Sequence, residues 1–309
     1  MKVGGTGLPT DNLYRLVVAS TDPDWYRFLR ARPELDEVNF WRPGVASMSM
    51  ARGTPWLFLI RGTSLIWGCG FFSTFDFMPV GVAWDTFGKA NGFDDFALFL
   101  TKIARLRRKP EHAIGSIGCA VLSDVEYFDR PIDYAPYGRM YGPIASVDVR
   151  TRDGAELRQQ MAARVHRNAQ ASAIIKGGTA KPVLVIPRLG QATFRIELER
   201  QYQIRCAVTG ERTRPVLDAA HIKPFSLVKE HSLSNGLLLR KDIHKLFDDG
   251  YLTVTPDRRF LVSKAIKAEF ENGRDYYALD GTVIREPVSL EARPAREYLE
   301  WHAAERFKR

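Results

Sequence analysis

The sequence predicts an α+β protein of two domains joined by a helical connector. Three observations carry this. A chain of 309 residues suits two domains better than one. Its first half mixes strand-like apolar runs with short helical patterns, and its charge is unevenly shared. Residues 1–150 hold 17 Lys and Arg against 16 Asp and Glu, whereas 151–309 hold 28 against 20, so most of the net charge of +9 belongs to the second half. That half suits a polyanionic partner.

An apolar fraction of 45% is ample for buried cores. No run of eighteen apolar residues exists, which argues against a membrane span. The opening MKVGGTGLPTDN lacks the apolar centre of a secretory signal, so a cytosolic protein is expected. Cys69, Cys119 and Cys206 lie too far apart for a disulfide framework or a paired-cysteine zinc site, and each is expected to be a small buried hydrophobe.

Residues 1–12 read as a leader, and Leu13–Ser20 as a first strand. Asp22-Pro23-Asp24 caps a short helix through Trp25, Phe28 and Leu29. Phe40-Trp41 reads as an aromatic pair running into the turn residues Arg42-Pro43-Gly44. Trp56–Arg61 and Leu65–Phe75 form a hairpin about Gly62-Thr63-Ser64, and Gly68 and Gly70 predict a bulge or close approach in the return strand. Val82–Phe87 reads as one or two helical turns. The clearest helix of this half is Asp94–Lys109, with Phe96, Phe99, Ile103 and Leu106 as its apolar stripe and its charges ordered to suit the helix dipole. Ile117–Phe128 and Ala145–Val149 are further strands, and the domain ends near residue 150.

A polar helix over 153–173, with Leu157, Met161 and Val165 on one stripe, is read as the connector, giving boundaries of 1–150, 151–180 and 181–309. Val183–Ile186 is a short strand and Ala192–Gln203 a helix. His221 ends a strand, Asn235 opens a second over Gly236–Arg240, and Lys241–Asp248 is a short helix bearing His244, stopped by Gly250.

This strand, loop, strand, helix order places two histidines across a small cleft. Hydrolysis of a phosphodiester needs a nucleophilic water, a base to take its proton, and a cation for the leaving oxygen. Acidic residues at Asp218, Asp242, Asp248 and Asp249 stand close by in the chain. His231 falls in the loop and is assigned no role. His302 is expected to pack in a terminal helix, and His112 and His166 belong to no constellation.

The words CAVTG, AAHIKP and NGLLLRKDIHKLFDDGYL, in this order, resemble the HNH endonuclease family, whose fold is the ββα-metal finger. The resemblance covers Gln191 to Pro256. It implies that His221 is the general base, Asn235 fixes that imidazole, and His244 binds a divalent cation, Mg²⁺ or Mn²⁺. Many members carry an acidic residue or His just before the base, where this chain has Ala220. Asp218 lies on the same side of the strand as Ala220, and Asp248 lies four residues after His244 on one helix face. Both are candidates for the missing ligand, with a cap or a backbone hydrogen bond as the alternative for each. Lys223 and Arg240 are candidates to contact the DNA backbone.

The first half, through NFWRPG, GCGFFSTFDFMPVGVAWDTFGKANG and IGCAVLSDVEYF, resembles the amino-terminal domains fused to HNH nucleases in modification-dependent restriction enzymes. Those domains are similar to the PUA superfamily (EVE and ASCH relatives), which implies a small β-barrel with short helices that binds a modified base. By this resemblance Trp41, Phe72 and Asp76 would line a base pocket, with Trp84 and Asp85 behind them. Core packing or turn capping is the alternative for each. The implied partner is double-stranded DNA carrying a modified cytosine, and a double-strand break would need a homodimer or two successive events. Two other readings stay open: a first domain that reads an unmodified sequence or a partner protein, and a non-catalytic nucleic-acid-binding protein.

Overall fold

In a computed structural model the chain divides into two compact units, Met1–Arg188 and Leu189–Arg309. The structure describes residues 14–44, 48–108, 115–165 and 189–308. The expected leader, the strand Val183–Ile186, His112, His166 and residues 166–180 of the expected connector lie outside the described residues.

The first unit is built on a sheet of six strands: β1 (Arg15–Thr21), β2 (Glu37–Arg42), β3 (Pro55–Ile60), β4 (Leu65–Pro79), β5 (Ser116–Asp133) and β6 (Ile144–Asp148). Their order is β2-β5-β4-β3-β1-β6. β1 and β3 run parallel, and the remaining ladders are antiparallel. Among the described residues no ladder joins β2 to β6. Register shifts between Ile66 and Gly68 and between Cys69 and Phe71 put bulges where the glycines of β4 predict them.

β1 shows why both faces of this sheet are covered. Leu16 and Val18 belong to one apolar cluster, with Leu57, Phe71 and Phe128, while Val17 and Ala19 belong to another, with Trp25, Trp56 and Phe58. The period of two sends alternate residues to opposite faces. Helix α1 (Pro23–Arg30) covers the second face, its start capped by Asp22, which accepts from the N–H groups of Asp24 and Trp25. Helices α2 (Val80–Phe87) and α3 (Phe96–Arg107) follow β4, with Asp95 capping α3.

Phe40-Trp41 lies at the end of β2, paired with Ala120 and Cys119 of β5, and the chain bends at Pro43-Gly44 as its turn residues suggest. Two expectations are corrected here. In α3 only Phe99 and Ile103 are buried; Phe96 and Leu106 remain 38% and 43% exposed, so the apolar stripe is narrower than its spacing suggests. Helix α4 (Arg152–Ala162) ends eleven residues before the expected Ser172-Ala173, and its Leu157 and Met161, with Val165 just beyond, complete the cluster of Leu16 and Phe71. It is part of the first unit's core, because a stripe of three apolar residues finds its burial there.

The second unit gathers helix α5 (Gln191–Gln201), the antiparallel pair β7 (Leu217–His221) and β8 (Gly236–Arg240), and helix α6 (Lys241–Asp248). A hairpin, β9 (Leu252–Val254) and β10 (Phe260–Val262), and helix α7 (Arg296–Glu305) complete it. Its core includes Phe194, Leu217, Leu237, Leu239, Phe247, Phe260 and Leu299. Gly250 ends the last turn of α6 at φ +79°, where an added Cβ would lie 2.0 Å from the Arg306 carbonyl oxygen. Only glycine satisfies both demands. None of the described helices is long and apolar enough to cross a membrane.

Candidate active site

The site is assembled from β7, β8 and α6. Antiparallel pairing sets His221 opposite Gly236 and Asp218 opposite Leu239. Leu217, Ala219 and Ala220 are buried while Asp218 and His221 are half-buried, so the strand is anchored by its apolar residues on both faces and leaves its two polar side chains within reach of the cleft. Gly236 is required by packing: a Cβ there would stand 2.9 Å from side-chain atoms of Phe194 and Leu198. That close approach lets Phe194 of α5 lie flat on the His221 imidazole, with centroids 4.4 Å apart and planes 9° apart.

Cys206 ties the CAVTG turn to this frame. Its thiol sulfur accepts from the backbone N–H of Thr209 at 3.5 Å and of Arg240 at 3.3 Å.

His244 is held between the two aspartates proposed as ligands. Its Nδ1 is 3.0 Å from Asp218 Oδ2, and its Nε2 is 3.3 Å from Asp248 Oδ2. Burial alone would lower the His244 pKa, but the bond to Asp218 and the charges of Asp248 and Asp218 raise it above its ordinary value. Burial works the other way on Asp218, yet its bond to His244 and the positive charges of His244 and Arg195 hold the carboxyl below the usual range. Asp248 is raised, chiefly by burial. Arg195 was not foreseen from sequence. It lies 3.3 Å from Asp218 Oδ1 and 3.3 Å from Glu199, which also pairs with Arg214 at 2.6 Å. This buried ion network orients Asp218 from behind.

His221 is the opposite case. Burial, then the nearby His231 and His244, push its pKa down to about 4. It is therefore neutral at physiological pH, which is the form that accepts a proton.

Asn235 holds the backbone that carries the base rather than the imidazole itself. Its Oδ1 accepts from the Lys223 N–H and its Nδ2 donates to the Lys223 carbonyl, both at 2.8 Å, and its own carbonyl accepts from the Ile222 N–H at 3.0 Å. Both ends of the amide are thus spent on the backbone just after His221. Asn235 clamps the turn and acts on the base only through it. The imidazole is met instead by His231, whose Nδ1 lies 2.9 Å from His221 Nε2. Nothing in the sequence but the shared loop connects these two residues, so the sequence carries no signal for this contact.

The two candidate backbone contacts are both engaged within the unit. Lys223 Nζ sits 5.5 Å from the Trp301 ring centroid. Arg240 makes a two-pronged pair with Asp242 at 2.6 and 2.7 Å.

The candidate base pocket in the first unit is only partly brought together. Phe72 is 4% exposed and stacks on Trp56 in the core, with centroids 6.4 Å apart, so it cannot line an open pocket. Trp41 and Trp84 both meet Phe99, at 5.2 and 6.0 Å, and Trp41 Nε1 donates to the Asn91 carbonyl at 2.9 Å. Trp41 and Asp76 each pair with Cys119, from β2 and β4 respectively, which sets them on the same face of the sheet. Asp85 is exposed on α2.

Among the described residues no three His, Cys, Asp or Glu side chains converge so as to hold a metal ion. An open site asks for less: Mg²⁺ keeps several waters and takes one or two carboxylates plus a substrate phosphate. His244 with one carboxylate offers that much, Asp218 beside Nδ1 or Asp248 beside Nε2; the two stand on opposite ring nitrogens, so only one of them could share a cation with the imidazole.

Residues 206–255 match the family model HNH_2, HNH endonuclease. The second unit therefore carries an HNH endonuclease domain, and β7, β8 and α6 are its central elements. The chain is also similar to solved structures. ASCH from Zymomonas mobilis shares 13% identity over 46% of this chain and 92% of its own, with a TM-score of 0.34. A modification-dependent TagI restriction endonuclease shares 16% identity over 61% of this chain and 46% of its own, with a TM-score of 0.26. No curated protein matches the sequence.

Proposed function

We propose that the protein is a modification-dependent restriction endonuclease. Its HNH domain hydrolyses a DNA phosphodiester with the help of one divalent cation, and its first domain selects DNA carrying a modified cytosine. The observation that carries the nuclease reading is the pair of opposed histidines. His221 is kept neutral as a base, and His244 is clasped between Asp218 and Asp248.

In this reading His221 takes the proton of the attacking water, and Asn235 holds the turn that presents it. His244, with Asp218 or Asp248, would hold Mg²⁺ or Mn²⁺, which supplies charge stabilisation for the leaving oxygen. Lys223, two residues past the base, would meet the phosphate chain by leaving the Trp301 face. The first domain would read the base from the face bearing Trp41 and Asp76, with Trp84 and Asp85 nearby. Aromatic walls and a few polar groups suit a base taken out of the helix. One such site cuts one strand, so a double-strand break takes a homodimer or two successive events. A cytosolic location is proposed with this role.

The test is cleavage of matched plasmids bearing unmodified, methylated and hydroxymethylated cytosine, with and without metal. Cutting confined to a modified plasmid and dependent on metal is expected. Equal cutting of all three removes the modified-base reading but leaves the nuclease intact. No cutting by any divalent ion removes both.

A further inference from the structure

The strongest unclaimed feature of the HNH domain is the contact between two imidazoles. His231 lies in the segment between β7 and β8, ten residues beyond His221, and its Nδ1 stands 2.9 Å from His221 Nε2. Each ring is supported by a phenyl group. Phe194 stacks on His221 at 4.4 Å and 9°, and Phe225 stacks on His231 at 4.3 Å and 17°. Phe225 comes from the single helical turn Phe225–Val228 that directly follows the turn clamped by Asn235. The two histidines are thus fixed by different elements and meet nitrogen to nitrogen.

That meeting has a chemical consequence. A neutral imidazole carries its proton on one nitrogen and accepts a proton only on the other. A base that carries its proton on the wrong nitrogen is inert, so reactive histidines are held in one tautomer by a fixed partner. The residue expected to serve as that partner, Asn235, has both amide atoms on the Lys223 backbone. With Nε2 engaged by His231, the His221 atom left to meet water is Nδ1.

We propose that His231 is the positioning residue of the catalytic base. It accepts the Nε2 proton of His221 on its own Nδ1 and so leaves the lone pair of His221 Nδ1 for the attacking water. This rests on His221 being the base of a nuclease. The pairing itself is a property of the folded chain and is measurable whether or not DNA is cut.

The test uses the full chain and two substitutions. His231→Phe keeps a ring over Phe225 and removes the nitrogen. His231→Asn places a side-chain amide oxygen where Nδ1 stood. The ring ¹⁵N shifts of His221 in labelled protein report its tautomer. They are expected to show Nε2 protonated in the parent, a mixture of tautomers in His231→Phe, and a return to the parent pattern in His231→Asn. Plasmid cleavage at saturating metal is expected to fall on the order of 10–100-fold in kcat for His231→Phe, as loss of an orienting partner costs other reactive imidazoles. KM should be unchanged, and His231→Asn should recover most of the rate.

Parent-like ¹⁵N shifts in His231→Phe overturn the proposal. So does a parent-like kcat in that variant. Should His231→Phe fail to fold, a His231→Asn protein whose His221 has the opposite tautomer to that expected overturns it instead. A parent protein that cuts nothing ends the nuclease reading, while the ¹⁵N pattern still decides the pairing.

Discussion

His221, the proposed base, and His302 occupy similar surroundings in the same unit and differ in what their nitrogens meet. Both lie against a phenyl ring, His221 on Phe194 and His302 on Phe247 with centroids 3.7 Å apart. Both are pushed down to about 4, in each case chiefly by burial. His302 is 2% exposed; its Nδ1 faces the Thr253 hydroxyl at 2.9 Å, and its Nε2 faces the Phe247 carbonyl at 3.1 Å. Both nitrogens are committed to fixed partners of the core. His221 is half-buried and commits Nε2 to another imidazole. A low basicity and a stacked ring thus do not mark a reactive histidine; a nitrogen left for substrate does.

Substitution should separate the two sharply. His221→Ala is expected to lower cleavage by roughly 10²- to 10⁴-fold, the usual worth of a general base, with little change in unfolding free energy. His302→Ala is expected to do the reverse. It removes a packed ring and leaves the buried Thr253 hydroxyl without its imidazole partner, at a cost of about 3 kcal/mol in urea unfolding. A His302→Ala protein of parental stability would break the comparison at its structural end.

The aspartates around His244 give the next effect. Asp218→Asn loses the carboxylate on Nδ1, and Asp248→Asn the one on Nε2. Each should weaken metal-dependent cleavage about 10- to 100-fold, and the cation titration of each variant shows which of the two is the ligand. The variant whose defect is rescued by high Mn²⁺ has lost a ligand, and the variant with a lowered kcat at saturation has lost an orienting partner.

The shared depression of His221 and His302 predicts a pH effect on stability. Both favour the neutral form in the fold, whereas the unfolded chain takes up protons near 6.5. Their contribution is complete above about pH 6.5 and is lost as pH falls towards 4. Asp218, held below its ordinary value, adds a loss in the same direction at still lower pH. Urea midpoints measured from pH 7 to 4 should fall, and His302→Gln should flatten the fall. The smallest effect is expected at Lys223: Lys223→Ala should weaken DNA binding alike for every sequence and reduce the salt slope by about 1.

How much of this was legible in the sequence depended on whether the cause was local. The hairpin of β3 and β4, the cap at Asp22 and the order β7, β8, α6 follow from apolar alternation, turn glycines and capping residues, which act within a few positions. Asp218 was reachable through the period of two, and the structure puts it on His244. Long-range facts were not legible. The stripe of α4 announces that it must be buried, but not against which domain, and it went to the first unit's core. Phe72 reads as an aromatic beside small residues, and only the partner strand shows that it stacks on Trp56. The contact of His231 with His221, and the hold of Asn235 on the backbone rather than on the ring, went unseen for the same reason: spacing along one loop does not show which side chain reaches which atom.

Cys206 has a practical consequence. Its thiol, by accepting from Thr209 and Arg240, fastens the turn that precedes β7 to the end of β8 with two hydrogen bonds, and all three cysteines are buried and free. The scaffold beneath the catalytic groups is therefore knit without thiolate–zinc cross-links. Treatment with EDTA should silence the enzyme and leave its fold standing, so that catalysis can be switched off and restored in one sample by withdrawing and returning the cation.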